Sequence, residues 1–332
     1  MRKAIIIVGV VLTVVGLVII AAIGGANGLQ GLKGMFSHDL SAVDAVEEVQ
    51  MSSDFVTLNI TANSYSVYLR KSADEKMHVK YVSQLPDGVI LDVEKSSDNS
   101  VTVTQNDADK IWGIMFGSAY QNRFLVVEIP ENAHFALSVQ CNAGKLDVSG
   151  VKNLQNVDCK LDAGSVLFDD ATAQNVGLET SAGSVTLKDT SAANVTVVSE
   201  AGRVTVEKLH CAKLDVQTDA GSIRIAETQA TDVVLSTNAG SVNCNVQSQT
   251  LKITTDAGSV NFKTQAKDIS LKCNTGSVRG TVLGAQANEF DVVVKKGVGS
   301  SNISTSRNES ATGKLSVDVE VGSIYITFDK EI

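Results

Sequence analysis

A single glycine recurs through the second half of the chain at an almost constant spacing, and this feature constrains the fold more than any other. Eight copies are separated by 20, 19, 19, 19, 19, 18 and 18 residues, another lies near the C-terminus, and Gly299 is a weaker copy. A period this regular predicts one structural unit that is repeated and stacked, which is a solenoid. The regular copies, expected to be structural turn residues, are Gly144, Gly164, Gly183, Gly202, Gly221, Gly240, Gly258, Gly276 and Gly322.

Hydrophobic and polar residues alternate on both sides of each glycine. Strict alternation and enrichment in β-branched residues predict two short strands per coil, each with one buried face. Such short strands must pair with their equivalents in the next coil. The predicted fold class is therefore all-β, a single-chain β-helix (β-solenoid) with about 18–20 residues per coil. The inward position two residues after the glycine is held by Leu146, Val166, Val185, Val204, Ile223, Val242, Val260 and Val278.

The glycine corner carries three further expectations. The glycine is expected to hold a positive φ, so that Gly221→Val would cost on the order of 1–3 kcal/mol. Three residues earlier, hydroxyls such as those of Thr237 and Thr255 are expected to bond their equivalents in the next coil. Two residues earlier, Asp and Asn side chains are expected to cap the turn through backbone bonds, a more ordinary role than calcium binding, because the GGxGxD calcium repeat is absent. This column is Asn142, Asp162, Ser181, Glu200, Asp219, Asn238, Asp256 and Asn274.

Composition excludes several classes of function. The chain has 332 residues, 5% aromatic residues and a formal net charge of −9, which argues against nucleic-acid binding. Its four histidines are scattered too sparsely for a zinc cluster, and we expect no metal and no cofactor. The cysteines fall on inward positions without CxxC spacing, so we expect small core residues and no disulfide. They are Cys141, Cys159, Cys211, Cys244 and Cys273.

The N-terminus predicts a membrane anchor. Arg2 and Lys3 precede a run of uncharged residues, Ala4–Ile23, long enough to cross the hydrocarbon core. The run is longer than in most cleaved signal peptides, so residues 1–23 favour an uncleaved single-pass anchor, with cleavage after the small residues that follow as the alternative. The positive-inside rule places the N-terminus in the cytoplasm and the β domain outside the cell membrane. Residues 24–50 are expected to form a flexible tether.

The remaining chain divides into irregular early β coils with a cap, residues 51–135, and the regular β-solenoid, residues 136–332. The segment around the only tryptophan departs from the strand pattern. It is either a hydrophobic loop packed on the rod or an exposed patch that contacts a partner or the membrane surface. In the second case the partner-contact residues are Trp112, Phe116 and Tyr120.

Three features together resemble a known bacterial family. They are the anchor, a strand that ends in Ile129-Pro130, and coils that carry the motif Asp162-Ala-Gly-Ser-Val166 and its copies. This arrangement is similar to the membrane-anchored "putative adhesin" β-strand-repeat family, a domain of unknown function, over roughly residues 50–330. The resemblance implies a β-repeat fold at the cell surface and brings no catalytic residues.

The chain is expected to be no enzyme. No histidine stands beside the serine row that follows the glycines, and no cleft-forming carboxylate cluster is evident. The function expected is non-catalytic binding or scaffolding at the bacterial cell envelope, with a cell-wall polymer or an envelope protein as partner and no small-molecule substrate. Self-assembly of β-helices end to end is the alternative. A polysaccharide-acting β-helix enzyme is the less favoured one.

Overall fold

The computed structural model describes residues 47–52, 54–63, 66–82, 89–107 and 124–330. These residues form a 20-stranded sheet wound into a β-solenoid of about 10 turns, which confirms the predicted fold class. The strands are β1 (Glu47–Ser52), β2 (Thr57–Ala62), β3 (Ser66–Lys71), β4 (Lys76–Val82), β5 (Val89–Lys95), β6 (Ser100–Asp107), β7 (Phe124–Ile129), β8 (Phe135–Ser149), β9 (Leu154–Asp169), β10 (Thr172–Lys188), β11 (Ser191–Glu207), β12 (His210–Ala239), β13 (Val242–Gln247), β14 (Thr250–Ala257), β15 (Val260–Thr264), β16 (Asp268–Thr275), β17 (Val278–Leu283), β18 (Phe290–Val298), β19 (Gly313–Val321) and β20 (Ile324–Asp329). A 3-10 turn, Ala287–Glu289, precedes β18.

The middle of the rod is stacked as the glycine period predicts. Strands β8 to β12 pair in parallel, so that Gly144 lies beside Gly164 and Gly164 beside Gly183. The inward column that begins with Leu146 and ends with Val278 is at most 2% exposed. Because equivalent residues face each other in every coil, the core is continuous along the rod axis.

Backbone pairing runs through the glycine corner in the first coils of this region. Strand β10 is 17 residues long and β12 is 30, so these strands turn corners without losing their pairing. From β13 to β17 each coil divides into two short strands. The prediction of two short strands per coil therefore applies to the later coils and underestimates the strand length in the earlier ones.

Glycine is required at the first corner because adjacent coils approach closely there. A Cβ on Gly183 would overlap the backbone carbonyl of Gly164, and the same holds at each following glycine of the column. Most of these glycines also have φ between 133° and 159°. Gly221 does not hold a positive φ within this range, so that expectation is wrong at this residue. Its requirement for glycine is steric, since a Cβ would overlap the carbonyl of Gly202.

The hydroxyl column before the glycines is buried, but it does not form the predicted ladder. Thr237 Oγ1 donates to the carbonyl oxygen of Gly221, and Thr255 Oγ1 donates to that of Gly240, both at 3.4 Å. These hydroxyls therefore bond the turn of the preceding coil instead of one another. Among the described residues, the hydroxyls without a hydrogen-bond partner include those of Thr180, Ser199 and Thr218.

At the N-terminal end, the coils are stacked out of sequence order. Strand β2 pairs with β8, and β3 pairs with the second half of β8. Strands β6 and β7 pair with the opposite edges of β2 and β3. The coil β6–β7 is thus farther out than β2–β3, although it comes later in the chain. Strands β5 and β4 then pair antiparallel with β6 and β7.

The C-terminal end shows the same exchange. Strands β19 and β20 pair with β16 and β17, while β18 pairs with the other edge of β19. The glycine column follows this order, because Gly322 stacks on Gly276 and Gly299 stacks on Gly322. Beyond β18 the chain turns back, and Ser306 forms an antiparallel bridge with Val292. The N-terminal end therefore finishes in antiparallel strands, while the C-terminal end has this antiparallel bridge beside β18 and a parallel bridge between Ser301 and Ile324 beside β20.

Several predictions fall on residues outside the described ranges. They are the membrane anchor, residues 1–23, most of the tether, and the contact residues Trp112, Phe116 and Tyr120. Strand β1 begins at Glu47 and pairs antiparallel with β4, so the last residues of the predicted tether are strand. No membrane-crossing helix occurs in the part of the chain that the structure describes.

The cysteines lie mostly in the core. None of the five forms a disulfide within the described chain. Cys141 pairs with Leu161 in the sheet register, and Cys159 pairs with Val139, so these two cysteines are not direct neighbours. Cys211 departs from the expected inward position, because it is only half-buried at the second corner.

Candidate functional site

The repeat changes at the second corner of the coil, which is the corner without the glycine column. In four successive coils this corner holds a residue in the left-handed conformation, with φ between 45° and 53°: Asp170, Asp189, Lys208 and Glu227. The next coil lacks that residue. Ile225 pairs with Cys244 and Thr228 with Val246, so two residues of one coil face a single residue of the next. The fall in coil length from 19 to 18 residues is thus located at this corner.

The left-handed residue turns the backbone so that the next side chain enters the core. The N–H of Asp189 donates to Glu207 O at 3.1 Å, and the following Thr190 is buried. Aspartate tolerates this conformation better than lysine or glutamate, because its short polar side chain can bond locally. Lys208 and Glu227 therefore hold a strained backbone that costs roughly 1–2 kcal/mol each.

The step in coil length lies beside a groove of about 510 Å³. Its charged and polar lining comes from corner positions of consecutive coils, so the groove runs along the rod axis. At about 4.8 Å per coil, the four coils that line it span about 14 Å. We call it the corner groove, and its lining is Asp189, Ser191, Lys208, His210, Glu227, Thr228, Gln229, Asn245 and Gln247.

A second hollow continues the corner groove toward the C-terminal end. It has a volume of about 420 Å³ and shares His210, Gln229 and Gln247 with the corner groove. It extends the polar surface as far as Gln265. Together the two hollows expose one column of long polar side chains, with Gln229 beside Gln247 in the sheet register.

Charges at the corner groove nearly balance. Lys208 Nζ lies 3.7 Å from Asp189 Oδ1, and Lys188 Nζ lies 3.6 Å from the other oxygen of the same carboxylate. The charge of Asp169 is the main cause that raises the pKa of Lys188, so this ammonium stays charged. Within the described chain, Glu227 forms no ion pair. The groove therefore presents ion-paired charges and one additional carboxylate.

The glutamine amides of the corner groove differ from the asparagine amides of another exposed column. On an exposed column elsewhere, Asn175 Nδ2 donates to Asn156 Oδ1 at 2.7 Å, and Asn194 Nδ2 donates to Asn175 Oδ1 at 2.8 Å. Gln229 and Gln247 form no side-chain hydrogen bond with any described residue. Their donors and acceptors face solvent and are open to a ligand.

The reactive side chains in this region are not arranged for nucleophilic attack. Cys211 follows His210, but burial raises the pKa of its thiol to about 11, so the thiolate is absent near neutral pH. Ser191 lies beside His210 in the sheet register, a neighbour that the sequence analysis missed. No hydrogen bond joins them within the described chain, and no described carboxylate orients the imidazole. No group of three metal-ligating side chains occurs among the described residues.

The polar column before the glycines is held differently from the prediction. Asn238 Nδ2 donates to Asp219 Oδ1 at 3.1 Å, and Asn274 Nδ2 donates to the Asp256 carboxylate at 2.9 Å. These are bonds between the side chains of neighbouring coils, so the expected bonds to the turn backbone are wrong for these pairs. Neighbouring coils are thereby fastened to each other along the edge that carries the glycines.

A second polar cluster lies on the outer face of β3 and β8. Asp147 is buried and bonds Arg70 and Lys145, both at 2.7 Å, and Ser149 at 2.5 Å. Burial opposes ionisation of this carboxyl, but the three hydrogen bonds outweigh burial and lower its pKa. The Arg70 guanidinium also lies 5.2 Å from the centre of the Tyr68 ring. These groups already satisfy one another, so the cluster fastens the first coils together and leaves no open site.

The sequence analysis did not locate the corner groove. The signal that marks it is the fall in glycine spacing from 19 to 18 residues between Gly240 and Gly258. That fall shows which coil is shortened. It does not show that the residue is lost from the second corner, because the sequence offers no glycine there to mark the turn.

Comparison with known proteins identifies a domain of unknown function. The family model described as Toastrack DUF4097 matches residues 55–327. No curated protein matches the chain. Two crystal structures are similar to this chain. The first is a "putative cell adhesion protein" from Clostridium sporogenes, with 11% identity and a TM-score of 0.25; the match covers 85% of this chain and 99% of that chain. The second is a "putative adhesin" from Bacteroides fragilis, with 15% identity and a TM-score of 0.33; the match covers 71% of this chain and 98% of that chain.

Proposed function

The chain belongs to the Toastrack DUF4097 family, and from this premise we propose that it is a non-catalytic, adhesin-like rod that binds or scaffolds at the bacterial cell envelope. In this proposal residues 1–23 anchor the chain in the cell membrane, with a cytoplasmic N-terminus and an extracytoplasmic β-solenoid. The corner groove engages the partner, which is a cell-wall polymer or an envelope protein.

The observation that carries this proposal is the corner groove itself. It lies at the step where the coil shortens, and it exposes polar side chains from consecutive coils along the rod axis. A long, shallow and polar surface suits an extended partner better than a small molecule, which needs a more enclosed and more apolar pocket.

The absence of catalysis is part of the proposal and is supported by the chemistry of the groove. The thiol of Cys211 is protonated near neutral pH because burial raises its pKa. Ser191 has no hydrogen bond to His210 in the described chain, so it lacks an activating base. We expect no release of reducing ends when the purified chain is incubated with cell-surface glycans, and release of such ends would contradict the proposal.

End-to-end self-assembly is less favoured than binding along the side of the rod. Parallel β-solenoids polymerise through open strand edges. Here β5 pairs antiparallel with β6 at one end, and Ser306 bridges Val292 at the other. Antiparallel segments at both ends hinder the addition of a further parallel coil. Sedimentation of the purified chain tests this point, because growth of filaments with concentration would favour the alternative.

Binding is tested with the full-length chain, purified in mild detergent and mixed with isolated cell wall or with solubilised membrane. We expect retention on at least one of these fractions, and a double substitution in the groove, Gln229→Leu with Gln247→Leu, should weaken it. The matched control carries Gln140→Leu and Gln217→Leu, which lie on exposed strand positions outside the groove. Retention on neither fraction would refute envelope binding.

Topology is tested separately. Protease added to intact protoplasts should digest the β-solenoid, because the proposal places it outside the cell membrane. Protection of the residues beyond 50 would refute this orientation. Deletion of the segment 112–120 tests the separate prediction that Trp112, Phe116 and Tyr120 contact a partner. Unchanged retention of every partner would show that they do not.

A further inference from the structure

We propose that the ligand of the corner groove is a neutral glycan, an uncharged polyhydroxylated chain that lies along the rod axis. This inference rests on the proposed function, because it specifies the chemistry of the envelope partner. The shape of the groove is the first argument. Its lining comes from equivalent positions of consecutive coils over about 14 Å, so a linear polymer meets a polar side chain at regular intervals.

Hydrogen-bonding capacity is the second argument. Each of the Gln229 and Gln247 amides offers two donors and one acceptor, and no described residue uses them. A sugar hydroxyl is both a donor and an acceptor, so adjacent hydroxyls match adjacent amides. The amides of Asn175 and Asn194 are already bonded to neighbouring coils and cannot serve a ligand in this way without losing those bonds.

Charge is the third argument. The Lys208 ammonium that could attract an anion is paired with Asp189 at 3.7 Å. Glu227 adds a negative charge to the groove, and the formal net charge of the whole chain is −9. A polyanion would therefore be repelled, while a neutral chain has no such penalty. Because the contacts are mostly uncharged hydrogen bonds, binding should depend little on ionic strength.

The test measures binding of the full-length chain, in detergent, to three neutral hexasaccharides and one anionic hexasaccharide. The neutral probes are chitohexaose, cellohexaose and maltohexaose, and the anionic probe is hexagalacturonate. We expect at least one neutral probe to bind, with an affinity that is the same at low and high salt. Gln229→Leu with Gln247→Leu should lower that affinity by about tenfold, the effect of losing one or two net hydrogen bonds.

The control variant with Gln140→Leu and Gln217→Leu should bind like the unchanged chain, because these side chains lie outside the groove. Failure of all three neutral probes, tighter binding of hexagalacturonate, or equal loss in both double variants would overturn the neutral-glycan assignment. Retention of the chain on isolated cell wall or on solubilised membrane in the same series keeps the proposed function intact in those cases. Retention on neither fraction would refute both proposals.

A second observation, independent of the groove, concerns the exchanged coils at the two ends. We infer that they act as clasps that keep the solenoid from unravelling at its chain termini. In a simple solenoid the first and last coils each have a partner on one side only. Here β2 pairs with β6 on one edge and β8 on the other, and β19 pairs with both β16 and β18.

The exchange changes what must break before an end can open. Removal of β2 requires two hydrogen-bonded ladders to separate, and its inward residues Leu58 and Ile60 are fully buried between neighbouring coils. The outermost coils are instead joined to the chain on both sides, so they cannot peel away as free ends.

Amide hydrogen exchange of the full-length chain tests the clasp. We expect β2 and β19 to exchange as slowly as β10 in the middle of the rod, and β5 and β18 to exchange at least about tenfold faster, because local opening begins at outer edges. A double substitution in the outermost coil, Val101→Ser with Val127→Ser, should speed exchange in β2 and β3 but not in β10. Exchange of β2 as fast as that of β5 in the unchanged chain would overturn the inference.

Discussion

The two corners of the coil solve the same turning problem in different ways. The first corner stacks glycine on glycine, and a Cβ there would overlap the carbonyl of the preceding coil. The second corner uses Asp170, Asp189, Lys208 and Glu227 in the left-handed conformation, with their side chains directed away from the core. Gly150 holds φ of +70° in the corresponding turn, and a Cβ there would have nothing within 4 Å.

Because of this difference, the first corner must stay constant from coil to coil, while the second corner can vary. The first corner is closed, since its backbone lies against the neighbouring coil and admits no side chain. The second corner is open, so its residues can change in type and even in number without disturbing the inward columns. The corner groove lies at the open corner, where the coil loses one residue. A solenoid of this kind can therefore acquire a ligand surface without altering its core.

The largest effect is expected from Gly221→Ala at the closed corner. The added methyl group would overlap the carbonyl of Gly202, so two stacked coils must move apart. We expect a loss of more than about 4 kcal/mol in the free energy of unfolding, measured by urea denaturation. Gly177→Ala is the control, because its Cβ would meet Val157 O at an ordinary 3.5 Å. Equal midpoints for the two variants would refute the closed-corner account.

A smaller effect is expected from Gly150→Ala at the open corner. The space around this residue is free, so only the left-handed conformation opposes the substitution. The expected cost is about 1–2 kcal/mol. If Gly150→Ala destabilised the chain as much as Gly221→Ala, the two corners would not differ in packing.

Deletion of Glu227 sharpens the comparison further. It converts a 19-residue coil into an 18-residue coil at the position where the next coil already lacks the residue. We expect the chain to stay folded with a loss of about 1 kcal/mol or less, since a strained residue is removed as well. Deletion of Ala220, beside the closed corner, should prevent cooperative folding. Circular dichroism during thermal denaturation distinguishes these outcomes, and unfolding of both variants would contradict the prediction.

The smallest expected effect is an increase in stability. Lys208→Gly removes a left-handed lysine at φ of +53°, and the exposed ion pair with Asp189 that is lost contributes little. We expect stability to rise by about 0.5–1 kcal/mol, because the strain relieved exceeds the added entropy of the unfolded chain. Lys213→Gly on an exposed strand position should instead lower stability by a similar amount. A loss with Lys208→Gly would show that the left-handed turn is not strained.

Much of the fold was predictable because its signals are local. The glycine spacing gave the period, and alternation gave the inward columns, as with Leu146 and Val166. The physical role of individual residues was less predictable. Gly221 needs to be glycine because of its neighbour's carbonyl and not because of its φ, and Thr237 bonds the preceding turn instead of the next threonine. Both facts depend on the distance between adjacent coils, which cannot be read from the sequence of one coil.

The sequence by itself determined the period of the solenoid and which side chains enter its core, since alternation along a strand fixes the direction of each side chain. Only the tertiary structure decided the stacking order at the two ends and the position of the corner groove. Backbone hydrogen bonds are alike on both edges of a strand, so β2 can accept a partner on either side without any change in pattern. The groove depends on an offset between adjacent coils at Glu227 and Asn245, and such an offset exists only after the coils have stacked.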